Sequence, residues 1–346
     1  MIQIKYNSDF ILINSIWTLI FKTIVYSYFQ SPLWHKIVLA LLKQKHLTRK
    51  THKLIYFQAT VNNGKADHVV IGFFYIKKIF NKRTLLFSHL VGPSDYFDFI
   101  STAAVDAEFL NNTILQIATD HKCTELQFAH IKKKSLLFEA IALFDNFNYS
   151  SLKCVAISLE NNYEQHLSKL SKNAKQNLRT ANNRLTKSGL SKEIIFLSNK
   201  DANEIDFIVL KTIYLQRSIH KKQPISVKSK IYKLVDHLFQ KEKDLFDLQE
   251  IKETDFVLGV LKIEGKIAAY FFGLKNTDGI EINRVAIDEQ FKYYSPGIIL
   301  LDQLIKDSFA EGLKIIDLTV GDEKYKYDLG GQTHEIFNIN GTICLD

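Results

Sequence analysis

The chain has 346 residues, 46% apolar and 24% charged, with a formal net charge of +8. Those proportions exclude a disordered polymer and give enough chain for two packed domains. Four Pro and 14 Gly, with no Ser-rich tract, exclude a flexible linker, so any domain boundary is a packed one.

Taken in chain order, the first notable segment is 10–29, apolar but interrupted by Asn14 and Lys22. About a dozen unbroken residues remain, against the ~20 that a membrane span requires. No early basic region or small-residue cleavage site marks a signal peptide. The expectation is an amphipathic helix packed on the first domain. Residues 53–61 and 68–77 alternate as strands around Asn62-Asn63-Gly64-Lys65, a good hairpin turn. A third strand, 83–91, leads into Gly92-Pro93. Residues 109–119 read as helix, 125–130 as strand, 135–144 as a short helix and 154–159 as strand.

The second half opens with a long predicted helix over 163–188, stopped by Gly189. Leu167, Leu170, Ala174, Leu178, Ala181 and Leu185 step by three or four as its buried stripe. From 165 to 192 there are seven Lys+Arg and no acid. A solvated helix usually interleaves both signs, so an acid-free basic face is expected to meet a polyanion. Helices are predicted over 202–217 and 226–239. Strands 256–263 and 266–272 are joined by Glu264-Gly265, and 280–287 adds a third strand. After Tyr293-Tyr294, Ser295 suits an N-cap, Pro296 the first helical position, and Gly312 the C-terminal cap. Residues 313–320 read as a buried strand. A helix opening straight after a strand offers free N–H groups and a positive dipole end, a seat for phosphate.

The charge is unevenly divided. Residues 1–158 carry 18 Lys+Arg against 10 Asp+Glu, and 159–346 carry 27 against 27, so the whole excess lies in the first half. That suits an anionic ligand or a membrane surface, although Lys132-Lys133-Lys134 reads as a solvated run. Cys123, Cys154 and Cys344 are odd in number and scattered, with no CxxC or Cys/His spacing. No metal site is expected, and a reducing cytoplasm is the expected location. The 11 His are scattered too, and they read as surface or packed residues.

Four motifs occur in one order along nearly the whole chain. They are Phe29-Gln30-Ser31-Pro32-Leu33-Trp34, Ser94-Asp95-Tyr96-Phe97-Asp98, Ser171-Lys172-Asn173-Ala174-Lys175-Gln176-Asn177-Leu178-Arg179, and Tyr294-Ser295-Pro296-Gly297 with Gly321-Asp322-Glu323-Lys324-Tyr325-Lys326. This set resembles the CelD-like branch of the GNAT acyltransferase superfamily, kin to the Fem-type aminoacyl transferases; Lys175 stands where that branch usually has Arg. The resemblance implies an α/β fold of two tandem GNAT-like domains, 1–155 and 156–346, each a mixed, largely antiparallel sheet flanked by helices.

It also implies a donor site for acyl-CoA. The pantetheine would follow Arg284, Val285, Ala286 and Ile287, with the pyrophosphate over Tyr294, Ser295, Pro296, Gly297 and Ile298. The Gly-x-Gly of many acetyl-CoA binders is lacking, which leaves acyl-carrier protein or aminoacyl-tRNA open as donors. Asp95 and Glu323 are expected to converge on the acceptor amine, and Tyr325 to protonate the departing thiolate. Gln30, Trp34, Tyr96, Asp98, Lys172, Asn173, Lys175, Arg179, Asp322 and Lys326 are the expected substrate-side residues. Lys326 is expected either to bind phosphate or to pair with Glu323.

No Ser/His/Asp or Cys/His arrangement is present, so direct attack by the amine is the expected mechanism. The leading reading is an N-acyltransferase acting on a nucleotide-linked amino sugar for surface polysaccharide synthesis, with small-molecule partners, no nucleic acid and a homo-oligomer as an open option. A Fem-type aminoacyl-tRNA-dependent transferase is the enzymatic alternative, disfavoured because no heptad run marks a coiled-coil arm. A basic module binding nucleic acid or a membrane surface is the non-enzymatic one.

Overall fold

The computed structural model describes residues 2–22, 27–62, 67–92, 94–102, 105–220 and 244–345. The predicted turn at 62–65 and the helix at 226–239 fall wholly or largely outside these residues. The chain divides into two compact units, 1–152 with 335–346, and 153–334. The first unit thus includes the last strand of the chain, which sequence reasoning assigned to the second domain.

In the first unit, β1 (Gln3–Asn7), β2 (His52–Asn62), β3 (Asp67–Ile79) and β4 (Lys82–Phe87) form an antiparallel meander. A two-residue strand, β5 (Ile100–Ser101), pairs with β3. The helix Ala107–Asp120, capped by Asp106, carries the chain to β6 (Glu125–Lys132), which lies parallel to β4. The C-terminal β13 (Gln332–Thr342) closes the unit antiparallel to β6. The apolar segment near the N-terminus forms the helix Phe10–Phe21, started by Asp9, whose carboxylate accepts from the Ile11 N–H at 2.9 Å. Its Ile13, Trp17 and Ile20 are buried while Ile11, Leu12 and Leu19 stay exposed, the amphipathic arrangement expected. Among the described residues no helix is long and apolar enough to cross a membrane.

The second unit repeats the order. β8 (Lys192–Ser198), β9 (Phe256–Ile263), β10 (Lys266–Lys275) and β11 (Gly279–Ile287) are antiparallel neighbours. The helix Pro296–Ala310 leads to β12 (Ile315–Val320), parallel to β11. The end of β7 (Asn148–Ser158) closes the unit antiparallel to β12. Glu264 and Gly265 both take positive φ, 50° and 71°, as the tight β9–β10 hairpin requires. Its core joins Ala181 and Leu185 with Ile280, Ile282, Ile316 and the buried stripe Ile299, Leu300, Leu304 and Ile305. Twice over, therefore, three antiparallel strands precede a fourth that is joined through a helix to a parallel fifth. This is the tandem α/β layering that the motifs imply.

The predicted long helix is two helices, Tyr163–Lys169 and Lys172–Lys187. Leu170 is extended at ψ 146°, and the Ser171 side chain accepts from the Ala174 N–H at 3.1 Å, so a new N-cap ends one helix and starts the next. The helix predicted from 202 starts later, at Phe207 (Phe207–His220), and β4 stops at Phe87 instead of running to 91.

Candidate active site

The second unit builds its site on β11. Phe272 pairs with Arg284 and Gly273 with Ile282, so Asn283 is an extra residue in the ladder, a β-bulge. The bulge resets the alternation of faces. Val285 and Ile287 then pack on the core that includes the Pro296–Ala310 helix, while Arg284 turns away. The Arg284 side chain is buried and meets the Asp244 carboxylate in a fork, with Nη1–Oδ1 at 2.6 Å and Nη2–Oδ2 at 2.9 Å. Its guanidinium also lies 4.3 Å from the Tyr214 ring centre. Its side chain is therefore part of the frame, and only the backbone of this residue is left to face a ligand along β11.

After β11 a 3-10 turn, Glu289–Tyr294, leads to Ser295 in the left-handed region, φ 52° and ψ 50°. Such a conformation costs on the order of 1–3 kcal/mol for a residue with a side chain and persists where surrounding structure imposes it. The Ser295 carbonyl accepts from the Ile298 N–H at 3.1 Å, but its hydroxyl makes no cap. The expected Ser295 side-chain N-cap is thus absent, and Pro296 has no N–H to satisfy. What results is a 15-residue helix whose first turn is left uncapped by its own residues.

That helix end opens on a cavity of about 290 Å³ lined by Val285, Ala286, Ile287, Lys292, Ser295, Gly297, Ile298, Leu301 and Tyr325. Seven of the nine were named from sequence. Lys292 and Leu301 were not, because neither carries a motif; only its position just before the Ser295-Pro296-Gly297 turn could have singled out Lys292. Pro296 is buried in the helix start and Tyr294 packs on the core, so neither lines the cavity.

Thr319 (φ 54°) distorts the end of β12, and the chain turns just past it at Gly321 (φ 118°). Gly suits position 321 because a φ of 118° strains any residue with a side chain, and a Cβ there would also displace Glu323 Oε2, 2.3 Å away. Lys326 is buried, and its ammonium donates to the carbonyls of Leu318 (2.8 Å), Thr319 (3.2 Å), Val320 (3.0 Å) and Gly321 (3.1 Å). Glu323 Oε2 lies 3.2 Å from the same nitrogen. Of the two roles expected for Lys326, pairing with Glu323 is the one formed; its burial leaves no phosphate seat there. Asp322 is exposed and 3.7 Å from Lys153.

Two acids that sequence reasoning passed over lie at the fork of the sheet. Glu281 and Asp317 are register partners on parallel β11 and β12, both buried, where the parallel pairing stops. Asp317 Oδ1 accepts from the Thr319 N–H at 2.8 Å, and Thr319 Oγ1 donates to the Ile282 carbonyl at 3.0 Å. Pairing register is invisible in sequence, so nothing there marks the two as neighbours.

On the basic helix Lys172, Asn173 and Arg179 are exposed. Lys175 donates to the Ser168 carbonyl at 2.7 Å, bracing the break between the two helices. Arg184 reaches the turn before Ser295, donating to the Tyr293 carbonyl at 3.1 Å with its guanidinium 4.6 Å from the Tyr293 ring centre.

The first unit gathers its motif residues around a buried relay. Trp34 is fully buried, and its indole N–H donates to Ser94 Oγ at 2.8 Å. Ser94 Oγ is 2.7 Å from His89 Nδ1, His89 Nε2 is 3.1 Å from His35 Nδ1, and His35 Nε2 is 2.9 Å from the Tyr56 hydroxyl. Burial pushes His35 down to about 3, and burial with the neighbouring His35 pushes His89 well below the usual range, so both rings are neutral. Asp95 Oδ1 lies 2.7 Å from His130 Nδ1. Burial alone would lower the His130 pKa, but the Asp95 carboxylate and the Ser94 carbonyl outweigh it and raise it.

Gln30 is buried, accepting from the Ser27 N–H at 3.1 Å through Oε1. Tyr96 is buried at φ 60° with the Lys132 ammonium 4.1 Å from its ring centre. Asp98 accepts from the Phe99 N–H at 2.8 Å; burial pushes its carboxyl up to about 7, against the pull of that N–H and of Lys132. The histidines read as unremarkable packed residues are therefore the centre of the first unit's polar network, with residues 35, 89 and 130 joined through the Ser94-Asp95 loop.

Residues 172–327 match the family described as the acetyltransferase (GNAT) domain. No curated protein matches the chain. Among solved structures, a conserved protein of unknown function from Bacteroides thetaiotaomicron is 11% identical with a TM-score of 0.56, covering 99% of this chain and 100% of its own. FemX is 11% identical with a TM-score of 0.55, covering 94% of this chain and 95% of its own. At these identities the two likenesses speak for the fold alone. The matched segment speaks for the chemistry: the second unit carries a GNAT domain, and the chain is an acyltransferase.

Proposed function

We propose that this protein transfers an acyl group from acyl-CoA to the amine of a nucleotide-linked amino sugar, a step in building a surface polysaccharide. The observation that carries the donor half is the uncapped helix start at Ser295–Gly297, open to a cavity of about 290 Å³ along the β11 strand. The pyrophosphate of CoA sits at that helix start, where N–H groups and the dipole favour an anion. The pantetheine arm runs along Val285, Ala286 and Ile287, whose backbone N–H groups hold it and polarise the thioester carbonyl.

The acceptor amine attacks that carbonyl directly. A C–N bond forms, the C–S bond breaks, and the thiolate leaves as the free thiol after taking the Tyr325 hydroxyl proton. Glu323, held in place by Lys326, takes the proton released from the attacking nitrogen, directly or through one water. Among the cavity-lining residues there is no Cys or His to form an acyl-enzyme. The acceptor's diphosphate is supported by the exposed cations Lys172 and Arg179, with Asn173 between them in sequence.

Release of CoA, followed with a thiol reagent across acyl-CoAs and amino-sugar nucleotides, tests the reading. Turnover only with aminoacyl-tRNA would replace it with a Fem-type activity. Steeply salt-dependent binding of nucleic acid without turnover would replace it with a binding module.

A further inference from the structure

Arg184 has no place in the donor seat as just described, yet its position beside that seat is specific. It belongs to the helix Lys172–Lys187, which contains no acid, and it reaches across to the turn that precedes Ser295. One of its N–H groups is spent on the Tyr293 carbonyl at 3.1 Å, which fixes the guanidinium against the turn. The plane is also held over the Tyr293 ring, 4.6 Å from its centre. A guanidinium carries five N–H groups, so the remaining ones are free to serve a phosphate.

Tyr293 itself is unusual for a residue in a packed turn: it is 62% exposed. Tyr294 meets it edge-on, with ring centres 5.3 Å apart at 80°, and Arg184 lies over one face, so a base would stack on the opposite face. An exposed aromatic plane two residues from a phosphate seat is a platform for a nucleobase. Lys292, one residue earlier, lines the donor cavity and adds a second cation on the same turn, 3.0 Å from Glu289.

We infer that Tyr293 and Arg184 form the nucleotide end of the donor site, the ring stacking on the adenine and the guanidinium binding the ribose 3′-phosphate of CoA. The inference rests on the donor reading above and deepens it. Pantetheine and pyrophosphate are common to CoA and its 3′-dephospho form, while the 3′-phosphate is present only in CoA. A site that reads it selects free CoA thioesters over donors that present a phosphopantetheine arm alone, such as an acyl-carrier protein.

Calorimetry on the full chain with CoA, 3′-dephospho-CoA and 4′-phosphopantetheine provides the test. Wild-type protein is expected to bind CoA about tenfold or more tightly than dephospho-CoA, the size of one charge-assisted contact. Arg184→Gln should weaken CoA to the dephospho-CoA level and leave dephospho-CoA unchanged. Tyr293→Leu should weaken both nucleotides alike and leave phosphopantetheine unchanged. Thermal unfolding of each variant checks that the fold is retained. Equal wild-type affinity for CoA and dephospho-CoA would overturn the inference while leaving the donor seat standing. Failure of wild-type protein to bind any of the three would overturn both.

Discussion

Lys326 Nζ lies 3.2 Å from Glu323 Oε2 while donating to four successive carbonyls, from Leu318 to Gly321. One buried ammonium thereby fixes the end of β12, the turn after it and the carboxylate that the turn presents. Positioning and chemistry can be separated by substitution. Lys326→Met should destabilise the fold by about 3–5 kcal/mol, the usual cost of breaking a buried charged cluster from one side. Glu323→Gln keeps the shape and should leave the urea midpoint nearly unchanged, while lowering kcat by about 10²–10⁴-fold. Near-wild-type kcat in a well-folded Glu323→Gln protein would remove Glu323 from the reaction and leave it a brace for the turn.

The donor seat yields a second expectation. A Cβ added at Gly297 meets only Ile287 Cγ2, at 3.2 Å, and the φ of Gly297 is not in the left-handed region. Gly297→Glu is therefore tolerated by the fold, and it places a carboxylate where the phosphate would sit. Calorimetry should find CoA binding abolished in a protein whose thermal midpoint has hardly moved. Full CoA affinity in that variant would discard the seat.

Much of this site was legible because its signals are local. Ser295-Pro296-Gly297 before an apolar helical stripe marks a strand-to-helix turn wherever it stands, and the structure puts the helix start at Pro296. The alternation from Ile280 to Ile287 marks a strand, yet it conceals the bulge at Asn283, which depends on the partner strand and sends the Arg284 side chain away from the cavity. Glu281 and Asp317 lie 36 positions apart, and only the register of β11 on β12 makes them neighbours. His35, His89 and His130 are spread over about a hundred residues and converge through Ser94 and Asp95. Local motifs foretold the Glu264-Gly265 turn and the helix end at Gly312 but not the missing Ser295 cap or the helix break at Ser171, and pairing register and convergence across long stretches of chain did not show.

The basic helix separates its cations by what each already holds. Lys172 and Arg179 are exposed, whereas the Lys175 ammonium is committed to the Ser168 carbonyl at 2.7 Å. Lys172→Ala and Arg179→Ala should each raise the acceptor KM about tenfold with little change in kcat, since a diphosphate is bound equally in ground and transition states. Lys175→Ala should move the acceptor KM less and the thermal midpoint more. Steady-state kinetics with each substrate varied in turn would show it. A rise in the donor KM instead would reassign this face to CoA.

Behind β11, the Arg284–Asp244 fork makes acid stability depend on one carboxylate. Burial by itself would raise the Asp244 pKa, but the two hydrogen bonds and the charge of Arg284 outweigh it, leaving it below the ordinary aspartate value of 3.8. A depressed carboxylate binds its proton more readily in the unfolded chain. Its contribution is therefore complete above the ordinary value and is lost as pH falls through the lowered native one. Arg284 stays charged throughout, since the same pairing raises its pKa further. Asp244→Asn leaves a buried guanidinium without its counter-charge and should cost about 3–5 kcal/mol near neutral pH. Urea unfolding of wild type and variant from pH 7 to pH 3 should show a gap that holds down to about the ordinary aspartate range and narrows below it. A gap that stays constant to pH 3 would mean that ionisation of Asp244 is not what stabilises the unit.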